Sequence, residues 1–430
     1  MMANGLLAMN RRAMLGALAA AAAVPAMPAY AKGPRYPAMQ ALIDGYVAAG
    51  LVPGAVVGVV QPGRHQPHWL TAGSSAFAGG HKVNPDTLWR IYSMTKTVTG
   101  VAVMQQVAAG KITIDTPIAE IMPEFRTMRV AIDPLKSLES RPTDKPILVR
   151  HLLTHTAGFS YNFGGQEPVE TEYRRQGLNA MSQSLGRQPG GPETPGLTEY
   201  MQRLATVPLR YEPGTRWHYS IGLDVAGALL ERMTGKTLDV IFAGQLFGPL
   251  GMNDTGFWVP PAKRARLSAN YSWRNEKWQP LKTPLLVDSP DRTEFGERPL
   301  MLAGGAGLVS SAHDFARFAQ MMLNDGMFEG RMLLPRTVAR LAMANLMPPG
   351  VLFGDHDGFG AGGRAILTDQ ATNPAKYRVG SWGWGGAAKT MFHVDPVRGH
   401  AVVLMLQSLA TLDDGPSDAK LLTAIAKDRG

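Results

Sequence analysis

The sequence predicts a mixed fold, α/β in the α+β sense, in which both ends of the mature chain supply helix and strand while the middle is mostly helical. Three observations carry this. A helical stripe and then a β-branched run open the chain, two apolar runs around a turn and then a helical stripe close it, and apolar residues at helical spacing dominate between them. At 430 residues the chain exceeds the usual ~100 to 200 residues of one domain, and its repeat-free middle favours two lobes over two separate units.

Residues 1–31 read as a targeting segment. Arg11-Arg12 precede an Ala-rich apolar run from Ala13 to Val24, and Ala29-Tyr30-Ala31 has the form of an A-x-A cleavage site. The run is too short to cross a bilayer, which takes about 20 apolar residues, so no stable membrane insertion is expected. The paired arginines resemble a twin-arginine signal, with an ordinary secretory signal as the alternative. Either implies export to the periplasm or beyond, with the mature domain covering 32–430.

Tyr36 to Ala49 has helical spacing through Met39, Leu42, Ile43 and Tyr46 and closes before Pro53-Gly54. Ala55 to Val60 then reads as a buried strand ended by Pro62-Gly63. In the middle, Ser311-Ala312-His313-Asp314 has the form of a capping box opening a helix, and a second helix carrying Val225, Leu229 and Met233 stops at Gly235. Asn162 to Pro195, rich in Gly, Gln, Pro and Ser, reads as a long surface excursion. At the far end, Thr390 to Val394 and Ala401 to Gln407 flank a turn at 395–399 as a hairpin, and Asp418 to Lys427 reads as the last helix.

Composition excludes several function classes. With 45% hydrophobic and 18% charged residues the chain buries a large core and is not a disordered segment. Cysteine is absent, so an exported chain gains no disulfides and cannot carry a lipid on a thiol. Of the 43 basic residues two lie in the targeting segment, leaving 41 against 34 acidic ones, a net +7 spread along the chain. The densest cluster, Lys263-Arg264-Ala265-Arg266, has no interleaved aromatics and reads as a solvated face, so no nucleic-acid partner is expected.

A serine hydroxyl becomes a useful nucleophile only with a base in reach. Ser93-Met94-Thr95-Lys96 supplies one if a helix suggested by Val98, Val101, Met104 and Val107 begins at Ser93, because residues three apart then share a face. Unpaired N–H groups at that helix start favour developing negative charge. The helix is nearly all Val, Ala, Met, Thr and Gly as far as Gln105, so it reads as buried, and burial makes a lysine amine a better base.

These residues resemble the class C β-lactamase and penicillin-binding superfamily. Trp89-Arg90-Ile91-Tyr92 before Ser93-Met94-Thr95-Lys96 is similar to its nucleophile element, and residues 149–158, Val-Arg-His-Leu-Leu-Thr-His-Thr-Ala-Gly, to its helix and turn. Glu212-Pro213-Gly214 with Tyr219-Ser220, Pro249-Leu250-Gly251-Met252 and Gly304-Gly305-Ala306-Gly307-Leu308 extend the likeness over most of the mature chain. The second element, Tyr-x-Asn, appears as Tyr219-Ser220-Ile221, which keeps the tyrosine as the implied base and puts Ile221 where a substrate-binding asparagine belongs. No Lys-Thr-Gly triplet is present. In its place stands Trp384-Gly385-Gly386, resembling the variant of family VIII carboxylesterases, and the likeness implies an oxyanion hole from the N–H groups of Ser93 and Ala387.

Other apparent motifs carry less. Gly358, Gly360 and Gly363 fit G-x-G-x-x-G without a preceding strand or following helix and read as a mobile glycine loop. Thr234-Gly235-Lys236-Thr237 is a helix stop. His151 and His155 have metal-ligand spacing without a third ligand and read as capped or buried histidines, and Asp355-His356-Asp357 is isolated. No G-x-S-x-G is present, which argues against the fold that usually carries it.

The resemblance implies an antiparallel sheet flanked by terminal helices (about 32–92 and 300–430) with an inserted helical lobe (about 93–299). It implies acyl transfer on a small-molecule ester, amide or lactam at Ser93, Lys96 and Tyr219, with Trp384, Gly385, Gly386 and Ile221 against the substrate and no metal or cofactor. Competing expectations are a β-lactamase, a D-Ala-D-Ala carboxypeptidase or D-aminopeptidase, or a silent binding protein on the same scaffold.

Overall fold

The computed structural model describes residues 35–429 apart from 64–65, 163–164, 179–192, 275–278, 355–356, 370–377 and 410–415. The segment at 1–31 expected to act as a targeting signal lies outside the described residues, as do Asp355 and His356.

Helix α1 (Pro37–Ala48) starts on a proline, whose missing N–H costs nothing in a first turn, and buries Met39, Ile43 and Tyr46. Strand β1 (Gly54–Val60) is buried at every position, and β2 (His68–Gly73) pairs with it. Strand β3 (Leu88–Arg90) leads to helix α2 (Thr95–Ala108). The helical region continues through α3 (Pro168–Arg175), α4 (Leu197–Leu204) and α5 (Gly222–Thr234), which ends at Gly235 with φ +68°. A hairpin of β4 (Asn270–Arg274) and β5 (Pro280–Asp288) follows. Strand β6 (Val309–Ser311) pairs with β3, and Ser311 caps α6 (Ala312–Leu323) by accepting from the Asp314 N–H. After α7 (Arg336–Met343) come β7 (Asp357–Phe359), β8 (Arg364–Ile366), β9 (Trp382–Gly385), β10 (Met391–Asp395), β11 (His400–Leu406) and the last helix α8 (Asp418–Arg429).

Seven strands form one antiparallel sheet in the order β7-β8-β9-β10-β11-β1-β2. The first and last strands of the sheet in chain order are neighbours, β1 lying against β11 with Val57 opposite Leu404. Alternation along β1 sends Ala55, Val57 and Val59 into a core with α1 and α8, and Val56 and Val60 into the main core with α2 and α6. With both faces covered, β1 reads as a continuous apolar run. The carboxylate of Asp428 on α8 accepts from the N–H groups of Ala38 and Met39, capping α1 from the other end of the chain. Fully buried Arg90 binds Asp288 and the Ser268 carbonyl, fastening the β4–β5 hairpin to β3.

Four expectations need correction. The nucleophile helix begins at Thr95, not Ser93, because Tyr92 takes a positive φ of 41° and residues 92–94 form a 3₁₀ turn. The segment from Asn162 is not simply a surface excursion: α3 buries Val169 and Tyr173, an i, i+4 pair that too few apolar neighbours support for sequence spacing to show it. The glycines at 358–363 are not a mobile loop but the tight β7–β8 connection. A Cβ at Gly362 would stand 2.2 Å from the Lys96 carbonyl, and one at Gly360 would stand 2.4 Å from that of Ala342, so backbone packs there on backbone. The basic cluster at 263–266 is not a freely solvated face, since Lys263 and Arg266 both pair with Asp254.

Candidate active site

The site is built where α2 leaves β3. Because β3 is held by β6 and the next residues turn through a left-handed Tyr92, Ser93 is delivered at the head of α2. Tyr92 is itself fixed: it is fully buried, and its hydroxyl accepts from Asn270 Nδ2 at 3.0 Å. A bulky residue at positive φ stores strain that the surrounding packing must hold.

Lys96 lies one turn on and is completely buried. Its Nζ donates to Ser93 Oγ at 3.1 Å and to the Gly305 carbonyl at 2.6 Å, and sits 4.8 Å from the Tyr219 ring centre and 5.4 Å from that of Tyr161. Two other polar side chains of this buried helix bind the same crossing strip: Thr99 Oγ1 donates to the Gly304 carbonyl at 2.6 Å, and Thr95 Oγ1 accepts from the Leu308 N–H at 3.1 Å. Burial of the helix therefore leaves none of these three groups unpaired.

Tyr219 arrives from just before α5, and its hydroxyl donates to Ser93 Oγ at 2.7 Å. Close approach of α5 to the 149–153 helix allows this, since a Cβ at Gly222 would stand 2.6 Å from the Leu152 carbonyl. His155, which sequence reasoning left as a buried histidine, holds Tyr219 in place. Its carbonyl accepts from the His218 N–H at 2.9 Å and its Nδ1 from the Ser220 N–H at 3.2 Å, gripping the chain on both sides of the tyrosine. Burial, reinforced by the Lys96 charge, keeps this imidazole well below its ordinary pKa, so it stays a neutral acceptor. His151 is likewise structural: Nδ1 accepts from the Leu148 N–H. Among the described residues no acidic, histidine or cysteine cluster could hold a metal ion.

Strand β9 forms the opposite wall. Gly386 packs on the segment before Ser93, where a Cβ would stand 2.4 Å from the Ile91 carbonyl, and Thr390 Oγ1 donates to that carbonyl at 3.4 Å. The turn carrying Ala387 is thereby pressed against the nucleophile turn. Among the described residues, neither the Ser93 nor the Ala387 backbone N–H donates a hydrogen bond within the chain. Trp384 faces outward from Gly385 with its ring centre 5.9 Å from that of Tyr219, 5.0 Å from Phe359 and 6.1 Å from Phe353. Trp217 lies tilted with its ring centre 4.4 Å from that of Phe353 and completes an aromatic wall that sequence spacing does not reveal, because its members come from three distant segments. Ile221 is not part of this wall: at 1% exposure it lies in the main core and offers a substrate no surface.

A serine with a lysine amine and a tyrosine hydroxyl both on its oxygen, two unpaired backbone N–H groups and an apolar wall has the parts for nucleophilic acyl transfer.

Known proteins resemble this chain over most of its length. A family model described as beta-lactamase matches residues 39–427. An uncharacterized protein of Mycobacterium tuberculosis is 32% identical over 413 residues, covering 90% of this chain and 96% of that protein. The esterase EstB of Burkholderia gladioli is 29% identical over 357 residues, covering 80% and 84%. Among solved structures EstCE1, described as a hydrolase with promiscuous acyltransferase activity, superposes with a TM-score of 0.72 at 23% identity, covering 91% of this chain and 98% of that one, and so shares its fold. With the match running over residues 39–427, the chain belongs to the beta-lactamase family.

Proposed function

We propose that this chain is a serine hydrolase of the family VIII carboxylesterase kind, cleaving small carboxylic esters through an acyl-enzyme on Ser93. The observation that carries the reading is the meeting of Lys96 Nζ and Tyr219 Oη on one serine oxygen, at 3.1 and 2.7 Å. Once its own proton has been given up, Tyr219 Oη takes the Ser93 proton as Ser93 Oγ bonds to the ester carbonyl carbon. The N–H groups of Ser93 and Ala387 receive the oxyanion. When the C–O bond breaks, Tyr219 returns that proton to the departing alkoxide. Water then attacks the acyl carbon with Tyr219 again as base, freeing the acid and Ser93.

Esters are favoured over β-lactams because Trp384 and glycines stand where a cation would hold a lactam's carboxylate, and because Phe353, Phe359 and Trp217 line the same mouth. The likeness to the esterase EstB supports the same choice. Assaying a chromogenic butyrate ester beside a chromogenic cephalosporin tests it. The ester's kcat/KM is expected to exceed the cephalosporin's by about 100-fold or more, and the reverse order would make the protein a lactamase. Export through the Arg11-Arg12 segment belongs to this reading: the mature chain is expected in the periplasmic fraction, and full-length protein confined to the cytoplasm would contradict that.

A further inference from the structure

Behind the reacting groups stands a carboxyl that the chemistry above does not use. Asp224, in the first turn of α5, is fully buried; Oδ1 accepts from the Gly305 N–H at 2.9 Å, and Oδ2 has no hydrogen-bond partner among the described residues. Gly305 in turn offers its carbonyl to Lys96 Nζ at 2.6 Å. One residue thus joins a carboxyl on its N–H to an amine on its C=O. A Cβ there would stand 2.5 Å from Asp224 Oδ2, so a larger residue would push the carboxyl aside. A half-satisfied buried carboxylate is costly, so its presence calls for a compensating charge.

The groups packed around it narrow what that charge is. Tyr200 from α4 and Tyr161 from the strip before α3 face Asp224, and burial lifts both phenols well above their ordinary value. On the far side of Lys96, His155 is kept neutral by burial, and His218 beyond it is lowered to about 4 for the same reason. Lys96 is the cation that faces the carboxyl. Tyr219 lies across that lysine.

We propose that Asp224 is a positioning residue for acylation: through Gly305 it fixes the direction of Lys96, and it sets a negative charge behind that lysine where Lys96 faces Tyr219. The inference rests on the acyl-enzyme reading. Burial raises the Asp224 carboxyl to about 7, with the Lys96 charge acting in the opposite sense. Below that pH the carboxyl is neutral and the ammonium loses its counter-charge, so acylation slows; above it the charge is restored.

Asp224→Asn keeps an acceptor for the Gly305 N–H and removes only the charge. The test is the rate constant for labelling of Ser93 by a fluorophosphonate between pH 5.5 and 9, which is independent of the folded fraction. The wild-type rate is expected to rise through a limb centred near pH 7. In D224N the limb is expected to vanish, leaving labelling about fivefold or more below wild type at pH 8. Gly305→Ala, whose methyl displaces the carboxylate while Asp224 stays in the chain, is expected to flatten the limb likewise. A limb of unchanged midpoint in either variant, scaled or not, would overturn the proposal, because a merely structural aspartate lowers the rate without moving its pH dependence. Failure of the wild type to label at Ser93 would instead remove the acyl-enzyme reading itself.

Discussion

Tyr219 Oη stands 2.7 Å from Ser93 Oγ although 126 residues separate them along the chain. The contact exists because His155 grips the backbone on either side of the tyrosine while the strained Tyr92 turn presents the serine. Catalytic geometry here is a property of the two clamps as much as of the reacting side chains.

Removing the phenol hydroxyl tests its share. Tyr219→Phe leaves the ring contacts with His155, Trp217 and Trp384 intact. It is expected to lower kcat by about 10² to 10⁴ with little change in KM, as the loss of a positioned base should. Steady-state kinetics on a butyrate ester reads this, and a variant retaining most of its kcat would assign the proton transfer to Lys96.

Trp384 is expected to set acyl-chain preference. Each buried methylene is worth about 0.8 kcal/mol, so butyrate should exceed acetate by roughly tenfold in kcat/KM if both extra methylenes reach the aromatic wall. Trp384→Ala should erase most of that ratio. An unchanged ratio would place the acyl chain elsewhere.

Close backbone packing under the nucleophile helix makes Gly100 intolerant. A Cβ there would stand 2.3 Å from the Ala361 carbonyl, and backbone cannot swing aside as a side chain can. Alanine gains up to ~1 kcal/mol of helix propensity, but overpacking costs about 1 to 3 kcal/mol. Gly100→Ala is therefore expected to lower the melting temperature, and a stabilised variant in calorimetry would refute the packing argument.

Acid should loosen the fold through its buried histidines. Burial lowers His151 to about 4, with the neighbouring Arg150 charge adding to the effect, against an ordinary value near 6.5. The unfolded chain then binds the proton more readily, so the stability from neutral His151 is present above pH 6.5 and lost as pH falls through 4. His151→Gln, which can still accept from the Leu148 N–H, should melt with a shallower decline over that interval. Parallel declines in calorimetry would shift the effect to His400, which burial also lowers to about 4.

Local features of the sequence translated directly into structure. The Ser311 cap, the Gly235 stop, the continuous apolar β1 and the hairpin around 395–399 each depend on neighbours within a few residues. Ser93 and Lys96 were legible for the same reason, although Tyr92 shifts the helix start by two residues. What stayed hidden was set by distant contact. Asp224 reads as an ordinary acidic residue in a first helical turn until its burial beneath Gly305 is seen. His155 reads as half of a weak metal pair, and Ile221 as a substrate contact, because a motif gives the order of residues but not the direction in which each side chain faces.

The central claim is that Ser93 carries the acyl group. Mass spectrometry of the protein after brief incubation with a butyrate ester and acid quench tests it most directly. A butyryl adduct on the peptide containing Ser93, absent from a folded Ser93→Ala variant that no longer turns over the ester, is the expected result. Unimpaired turnover in that variant, or an adduct found only on another residue, would contradict the account.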